Sequence, residues 1–433
     1  MIKTPSKKIL IVTGSDYTDQ VYQAFVDARS LGHRLYLLSD GSFEPKPGIF
    51  AKHFTYDLRK TKEVLDYMKN QPDTFDAVTI KTSEWLTPLT ALLAKQYGCI
   101  GNDPKVAFNC RSKYHMRREL EKAGVSIPKF RLCRNFDELK SAIDEIGIPC
   151  VAKPVGGNAS YGTFMVRHKE DLEVLRNNYE KSIDYLKKLA VAHDVFAFSR
   201  EEMDLIGIHD HVDMVTDYLV EEFMEGPEIS ADSLTQDGRT TIMGVADQIR
   251  MRPPYFVQLA EKMPYVCPAK KQKEIANLVS KTVSAMNIQN SPAHTEIIFT
   301  SEGPKIVEIG CRIGGDNIHD SIFQTTGYNL MYEAIMIALG EKRNYDIQLK
   351  CHTAMEYLLP DRRGTVGKIR VPQAVRENPD ITEISIECAA GDQVEVPPTS
   401  FIFLGYVCAK GGTPAEAQKN LKSALSQISI NIQ

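Results

Sequence analysis

Two glutamates and an arginine occur in neighbouring strand-like stretches, AHTEIIF and KIVEIGCRIGGDN, which a short SEGP turn separates. Glu296 and Glu308 have the same parity relative to that turn, so antiparallel strands would place both carboxylates on one face. Two carboxylates among Ile and Val are costly to bury uncompensated, and Mg²⁺ prefers oxygen ligands. Arg312 would stand beside the ion, where charge develops during phosphoryl transfer. The alternative is a surface hairpin with solvated acids and a salt bridge to Arg312.

A glycine-rich stretch, VAKPVGGNASYGT at 151–163, contains a second set of candidate residues. A β-branched strand presents Lys153, and the small residues that follow let backbone N–H groups approach an anion closely. The pattern predicts a phosphate-binding loop in a β-hairpin. It is not a Walker loop, because no G-K-[ST] precedes a helix. An ordinary hairpin with a solvated lysine is the alternative.

A third stretch, YLVEEFMEGPEIS, is typical of a strand that ends at a nucleotide base. Its apolar run ends at Glu221–Met224, turns at Gly226 and Pro227, and then presents Glu228. Such an edge offers main-chain groups and an apolar face to adenine, and a carboxylate to ribose hydroxyls. Taken alone, these acids are as well explained as solvated side chains.

The patterns around these stretches predict the elements that position them. The first hundred residues alternate strand-like runs, KKILIVT, RLYLLSD and DAVTIKT, with amphipathic runs, which predicts a parallel sheet covered by helices. Helical patterning follows at 104–124, and a second α+β region begins near Ile127. After Gly340, short strand-like runs and a closing helix at 414–429 predict a separate small α+β unit.

Composition limits the class of protein. With 433 residues, 43% of them hydrophobic, the chain can bury several cores, and its net charge of −4 comes without a long basic run that would follow nucleic acid. No segment approaches the roughly 20 apolar residues of a membrane helix. The opening residues read as a strand instead of a signal peptide. Nine cysteines are scattered singly, as expected for reduced thiols in the cytoplasm.

The order of these motifs resembles that of the ATP-grasp superfamily, and EIGCRIGGDN and LGYVCAKGGTPAEA resemble the L-amino-acid ligases and related carboxylate–amine ligases. The resemblance implies a mixed α/β and α+β protein with the ATP-grasp fold. Its parts would be an N-terminal Rossmann-like pre-ATP-grasp domain at 1–105, the ATP-grasp domain at 106–345 with a lid near 150–220, and a small C-terminal α+β domain at 346–433.

The same resemblance implies which residues bind ATP and Mg²⁺, for which Mn²⁺ can substitute. Glu296 and Glu308 would bridge the metal, while Arg312 and Lys153 would act in catalysis. The loop from Gly156 to Gly162 would close over the phosphates. The residues that it assigns to the nucleotide are Lys113, Lys153, Gly157, Ser160, Gly162, Glu221, Glu222, Phe223, Met224 and Glu228.

The implied reaction joins a small carboxylate to an amine through an acyl phosphate, in an enzyme that is expected to be a homodimer. Three alternatives stay open. A carboxylase of the biotin-dependent or nucleotide-synthesis type would phosphorylate bicarbonate instead. A non-catalytic regulator would bind ATP without turnover. A dehydrogenase is the weakest, because Asp40 ends the second strand but the first turn, GSDYTDQ, lacks the pattern G-x-G-x-x-G.

Some positions depart from the relatives and concern the substrates. Gly310 stands where many ATP-grasp enzymes have a metal-binding Asn. Gln258 and Glu261 stand where relatives that join amino acids often have Glu and His, and Asp316 replaces a bulky aromatic residue, which favours a polar or cationic amine. Arg250 and Arg252 are candidates for a substrate carboxylate, with exposed arginines as the simpler reading. The candidate substrate residues are Arg252, Gln258, Glu261, His294, Gly314, Asp316 and Asn317.

Overall fold

The first hundred residues form a parallel sheet. The computed structural model describes residues 5–157, 162–191, 198–251, 256–315, 317–396 and 403–433. The strands of this sheet are hydrogen-bonded in the order third, second, first, fourth, and every pair is parallel, which confirms the predicted parallel sheet. Its elements are β1 (Lys8–Val12), α1 (Asp19–Ser30), β2 (Arg34–Ser39), β3 (Lys52–Thr55), α2 (Thr61–Lys69), β4 (Ala77–Ile80), a 3-10 turn (Glu84–Leu86) and α3 (Thr87–Gln96).

Two short helices follow where the helical pattern predicted one run from 104 to 124. They are α4 (Pro104–Arg111) and α5 (Lys113–Lys122). Ser112 separates them with a φ of −90° and a ψ of 109°, and its hydroxyl accepts a hydrogen bond from the N–H of His115 as the N-cap of α5. Serine is favoured there because its oxygen satisfies a free N–H of the first turn. The break leaves the flanking Arg111 and Lys113 beside the cavity described below.

An antiparallel sheet forms from the next segment, and its four strands, numbered along the chain, are hydrogen-bonded in the order first, fourth, second, third. The strand that carries Lys153 pairs antiparallel with the strand that follows the glycine-rich stretch in the sequence, as predicted for a hairpin. The elements are β5 (Phe130–Cys133), α6 (Phe136–Ile146), β6 (Cys150–Pro154), β7 (Phe164–Val166), α7 (Asp171–Val191), α8 (Arg200–Leu205) and β8 (Tyr218–Glu222).

A long antiparallel sheet contains the two strands that carry Glu296 and Glu308. The elements that follow β8 are β9 (Glu228–Gln236), β10 (Arg239–Arg250), β11 (Gln258–Met263), α9 (Ala269–Ala285), β12 (Ser291–Thr300), β13 (Gly303–Gly310), α10 (Ile318–Thr326) and α11 (Leu330–Ala338). The C-terminal elements are β14 (His352–Leu358), β15 (Gly364–Arg370), α12 (Gln373–Arg376), β16 (Ile381–Ile386), β17 (Gln393–Val394), β18 (Gly405–Gly411), α13 (Pro414–Leu425) and β19 (Ser429–Ile432).

The C-terminal strands continue this sheet. Its order is β13-β12-β9-β10-β11-β14-β18-β16, and β17-β15-β19 form a second, smaller sheet. The closing helix is shorter than predicted, because Ile430 and Ile432 pair with β15 as part of β19. Among the described helices, none combines the length and the apolar character that a membrane crossing requires.

The parallel sheet is joined to α10 and α11 by a continuous apolar core. Side chains of β1, including Ile9 and Ile11, belong to the same buried cluster as Ile335 of α11. Ile335 is 0% exposed. This contact holds the first sheet against the rest of the molecule.

We expect Ile335→Ala to lower the free energy of unfolding by about 2–5 kcal/mol, since it removes buried methyl groups and leaves a cavity. Urea unfolding followed by circular dichroism measures the change. Leu205→Ala is the control: Leu205 is 55% exposed, so its truncation should change stability by less than about 0.5 kcal/mol. Equal effects of the two substitutions would contradict this account of the core.

Candidate active site

A cavity of about 760 Å³ lies between the parallel sheet, the β5–β8 sheet and the long sheet. Open α/β sheets bind ligands at the carboxyl ends of their parallel strands, and one wall of the cavity is that edge. The residues that follow β1, β2 and β4 and line this wall are Gly14, Ser15, Asp40, Ser42, Thr82, Ser83, Glu84 and Trp85.

The two predicted metal-binding acids lie directly opposite each other. Glu296 of β12 pairs in register with Glu308 of β13, and both line the cavity, so the predicted common face is present. Lys113 Nζ lies 3.2 Å from a Glu308 oxygen, and Arg250 Nη2 lies 3.5 Å from a Glu296 oxygen. Burial alone would raise the pKa of Glu296, but His294, Arg250 and Arg312 lower it to about 2. This carboxylate is therefore ionised at neutral pH.

The acid pair fits a metal ion that arrives with a nucleotide. Among the described residues, no group of three His, Cys, Asp or Glu side chains could hold a metal by itself. Mg²⁺ is commonly bound by one or two carboxylates together with phosphate oxygens and water, and Glu296 and Glu308 can supply that share. His209 and His211 lie outside this cavity and both contact one oxygen of Asp204, at 3.0 and 2.8 Å.

Lys153 belongs to a buried ionic network. Its Nζ lies 2.6 Å from Glu221 Oε2, and Arg117 Nε lies 2.7 Å from Glu221 Oε1. Burial would raise the pKa of Glu221, but the two cations lower it to about 2. Burial also lowers the pKa of Lys153, an effect that Glu221 opposes. The Glu221 carboxylate thus positions Lys153. That Glu221 itself contacts a nucleotide stays a prediction.

The end of β8 lines the cavity next to this network. Glu222, Phe223 and Met224 are all lining residues. The Glu222 N–H donates to Lys129 O at 2.9 Å, and the Phe223 N–H donates to Pro149 O at 3.3 Å. These bonds fix the end of β8 to the residues that precede β5 and β6 in the same sheet.

Glu228 and Arg250 form a second ionic pair at the cavity wall. Arg250 Nε and Nη2 donate to the two Glu228 oxygens at 2.7 and 2.5 Å. Burial raises the pKa of Glu228, and Arg250 counters that effect. Arg250 is therefore not an exposed arginine without a partner, which was the alternative to a role in substrate binding. Glu228 lines the cavity while paired with Arg250.

Arg312 is held by a residue that the sequence patterns did not single out. Its Nη2 donates to Glu84 Oε2 at 2.6 Å, and its Nη1 donates to Ile313 O at 3.1 Å. Burial would raise the pKa of Glu84, but Arg312, Arg111 and Lys113 lower it to about 2. The only hint in the sequence is the position of Glu84 shortly after a strand of the parallel sheet.

His294 forms a buried pair with Asp232, another residue that the patterns missed. Its Nδ1 lies 2.9 Å from Asp232 Oδ2. Burial alone would lower the pKa of His294, but Asp232 and Glu296 raise it to about 10. The Gly314 N–H donates to Asp232 Oδ1 at 2.7 Å. A Cβ at Gly314 would lie 2.9 Å from both Asp232 Oδ1 and His294 Nδ1, so a larger residue would disturb this pair.

Several predicted residues lie behind the lining of the cavity. Glu261 is 1% exposed, and Ser321 Oγ donates to its Oε1 at 3.4 Å. Asn317 is buried and donates to Ser321 Oγ at 2.9 Å. The structure therefore does not bring these two side chains, or Gly162 and Gly314, into the lining set. Ser160, Arg252 and Asp316 lie outside the described residues.

The remaining predicted residues meet in one place. Cations, acids and a strand end surround the cavity, which suits a polyanionic ligand with a metal ion and an apolar base. The predicted residues that line it are Lys113, Lys153, Gly157, Glu221, Glu222, Phe223, Met224, Glu228, Gln258, His294, Glu296, Glu308 and Arg312.

Comparison with known families bears on the fold and on two regions of the chain. Residues 146–320 match the ATP-grasp domain family, and residues 356–433 match the L-amino acid ligase C-terminal domain 2 family. The crystal structure of L-amino acid ligase from Bacillus licheniformis superposes with a TM-score of 0.81 at 20% identity, covering 99% of this chain and 100% of that one. The predicted fold class is confirmed.

Individual sequences match at a similarly low identity. Alanine–anticapsin ligase of Bacillus subtilis (strain 168) is 23% identical over 310 residues, covering 68% of this chain and 61% of that protein. The L-arginine-specific L-amino acid ligase of Bacillus subtilis is 22% identical over 363 residues, covering 81% and 79%. The chain spans 65% and 61% of the lengths of the first two curated relatives that it matches. The chain therefore contains an ATP-grasp domain at 146–320 and, at 356–433, a region that matches the L-amino acid ligase C-terminal domain 2 family.

Proposed function

We propose that this protein is an ATP-dependent carboxylate–amine ligase that forms an amide or peptide bond and releases ADP and phosphate. The observation that carries the proposal is the facing pair of Glu296 and Glu308, with Arg312 and Lys153 in the same cavity. The family match of the C-terminal region favours a ligase over a carboxylase with the same fold.

The nucleotide would lie along the cavity from the strand end to the acids. Glu222, Phe223 and Met224 would face adenine, and Glu228 with Arg250 would reach the ribose. Lys153, held by Glu221, and Lys113 would bind phosphate oxygens, and the loop that contains Gly157 and Ser160 would cover them. Mg²⁺, or Mn²⁺ in its place, would supply positive charge between Glu296, Glu308 and the phosphates.

The chain's cations would then serve the transferred group. A carboxylate oxygen of the acid attacks the γ-phosphorus, the bond to ADP breaks, and an acyl phosphate results. Arg312 neutralises the charge on the transferred phosphoryl oxygens. The amine nitrogen attacks the acyl carbon, phosphate leaves with the bonding electrons, and the nitrogen loses a proton. Enclosure by the loop would keep water from the acyl phosphate.

The identities of the two substrates follow less directly from the residues. We propose that both substrates are small molecules and that at least one of them is an amino acid. Gln258 lines the cavity and donates to Gln248 Oε1, so a neutral amide stands where relatives often have Glu. We further propose that the protein is a cytoplasmic homodimer that binds neither nucleic acid nor membranes. Light scattering of the purified protein measures its molecular mass and so tests whether it is a dimer.

We expect phosphate release from Mg-ATP to require both an acid and an amine. A matrix of amino acids and simple amines, scored for phosphate and then for product mass, measures this. A new mass equal to acid plus amine minus water supports the ligase. Turnover with bicarbonate alone would instead identify a carboxylase, and binding of ATP without turnover of any pair would identify a regulator.

We expect Glu296→Gln and Glu308→Gln each to lower kcat/KM by about 100-fold or more, because each removes a charge that holds the metal on the transferred phosphate. Phosphate release at increasing Mg²⁺ concentrations measures the loss. Glu302→Gln is the matched control, since Glu302 lies in the same hairpin with a side chain that is 70% exposed. Full activity of both cavity variants would overturn the metal assignment.

We expect Lys153→Met to weaken Mg-ATP binding by about 10- to 100-fold through loss of a charge-assisted hydrogen bond. Trp85 is the single tryptophan and lines the cavity, so its fluorescence reports occupancy. Lys169→Met, an exposed lysine beyond β7, is the control. Equal affinities for the two variants would remove Lys153 from the nucleotide site.

A further inference from the structure

Arg111, the last residue of α4, is a buried cation at the cavity that the proposed mechanism does not yet use. Its side chain is 2% exposed, and it lines the cavity. Nη2 donates to the carbonyl oxygen of Gly156, at the start of the glycine-rich loop. Within the part of the chain that the structure describes, Nε and Nη1 have no hydrogen-bond partner.

The nearest carboxylate already serves another guanidinium. Arg111 Nη1 lies 4.0 Å from Glu84 Oε1, beyond hydrogen-bond distance, whereas Arg312 Nη2 lies 2.6 Å from Glu84 Oε2. One carboxylate is thus shared by two buried guanidiniums. Arg312 Nε also lacks a hydrogen-bond partner among the described residues.

Two guanidiniums share one carboxylate, which leaves one positive charge in excess and three guanidinium nitrogens, Arg111 Nε and Nη1 and Arg312 Nε, without a hydrogen-bond partner among the described residues. A guanidinium does not discharge in proteins, so burial cannot be relieved by loss of a proton. An unpaired buried charge is costly, and each unsatisfied N–H adds to that cost. Lys113, the next cation, is occupied by Glu308 and the Gly157 carbonyl. An oxyanion between the two guanidiniums would satisfy donors of both.

We propose that Arg111 is a second oxyanion-binding residue, which together with Arg312 holds the phosphoryl group of the acyl phosphate and the phosphate that leaves. This inference rests on the proposed ligase function. The ligand class is a tetrahedral oxyanion with at least two negative charges, because it would accept hydrogen bonds from two guanidiniums and balance the charge of both. The break between α4 and α5 at Ser112 is what places Arg111 at the cavity.

Orthophosphate in the presence of MgADP tests this role, because it represents the product that would occupy the proposed position. The protein is first saturated with MgADP, then titrated with orthophosphate, while Trp85 fluorescence and the thermal unfolding midpoint are followed. We expect the wild type to bind orthophosphate saturably. Arg111→Met should weaken that binding by about 10- to 100-fold and change MgADP affinity by less than about threefold.

Two further variants separate anion binding from structure. Arg111→Lys keeps the charge but loses the fork, so orthophosphate binding should be weakened by an intermediate factor. Arg118→Met is the matched control on the neighbouring helix: Arg118 pairs with Asp210 and lies outside the cavity lining, so orthophosphate binding should not change. If Arg111→Met does not fold, as judged by circular dichroism, the lysine variant decides the question.

The outcomes distinguish the inference from the proposed function. Unchanged orthophosphate affinity in a folded Arg111→Met or Arg111→Lys variant would overturn the role of Arg111. A wild type that binds MgADP but shows no response to orthophosphate would overturn the anion site and leave nucleotide binding intact. A wild type that does not bind MgADP would overturn the proposed function itself.

Discussion

Charge that is buried must be paired, and this constraint shapes the whole cavity. Carboxylate, ammonium and guanidinium groups lose hydration between the three sheets, and each loss has to be offset by a close partner. Glu221 meets this requirement for two cations at once, at 2.6 and 2.7 Å. Glu228 meets it for Arg250 through both oxygens. Removal of one partner would leave the other as an uncompensated buried charge, so the two members of each pair depend on each other.

The same pairs also connect distant parts of the chain. Glu84 follows the last strand of the parallel sheet, and Arg312 follows β13, yet their charged ends are 2.6 Å apart. The Ile313 N–H donates to Lys81 O at 3.0 Å beside them. The parallel sheet is therefore part of the site and not only a neighbour of it. An orientation of Arg312 that suits phosphoryl transfer requires the edge of that sheet.

Local patterns predicted the elements and the acid pair, but not the contacts between remote segments. Parity around one turn predicted a common face for Glu296 and Glu308, but the strict period of two would pair Glu296 with Val307. A register shift between Glu296 and Ile297 is what places Glu296 opposite Glu308. No such rule relates Glu84 to Arg312, which are 228 residues apart. Arg111 was hidden for a different reason: the pattern at 104–124 is helical on both sides of Ser112, and only the cap interrupts it. Glu261 and Asn317 were predicted from a resemblance to relatives, and a resemblance does not reveal how deeply a side chain is buried. The domain limits stay predictions.

Substrate selection must arise from charges that the internal pairs leave available. Gln258, Gln248 and Ser230 form a chain of neutral side chains across β11, β10 and β9, with Gln248 donating to Ser230 Oγ at 2.8 Å. Adjacent strands fix the positions of these groups, so the amide of Gln258 presents a dipole and no net charge. A dipole can orient an amino or hydroxyl group, but it does not compensate an ammonium that loses its hydration. A cationic substrate group therefore needs a carboxylate elsewhere, and Asp316, which lies outside the described residues, stays the predicted candidate for it.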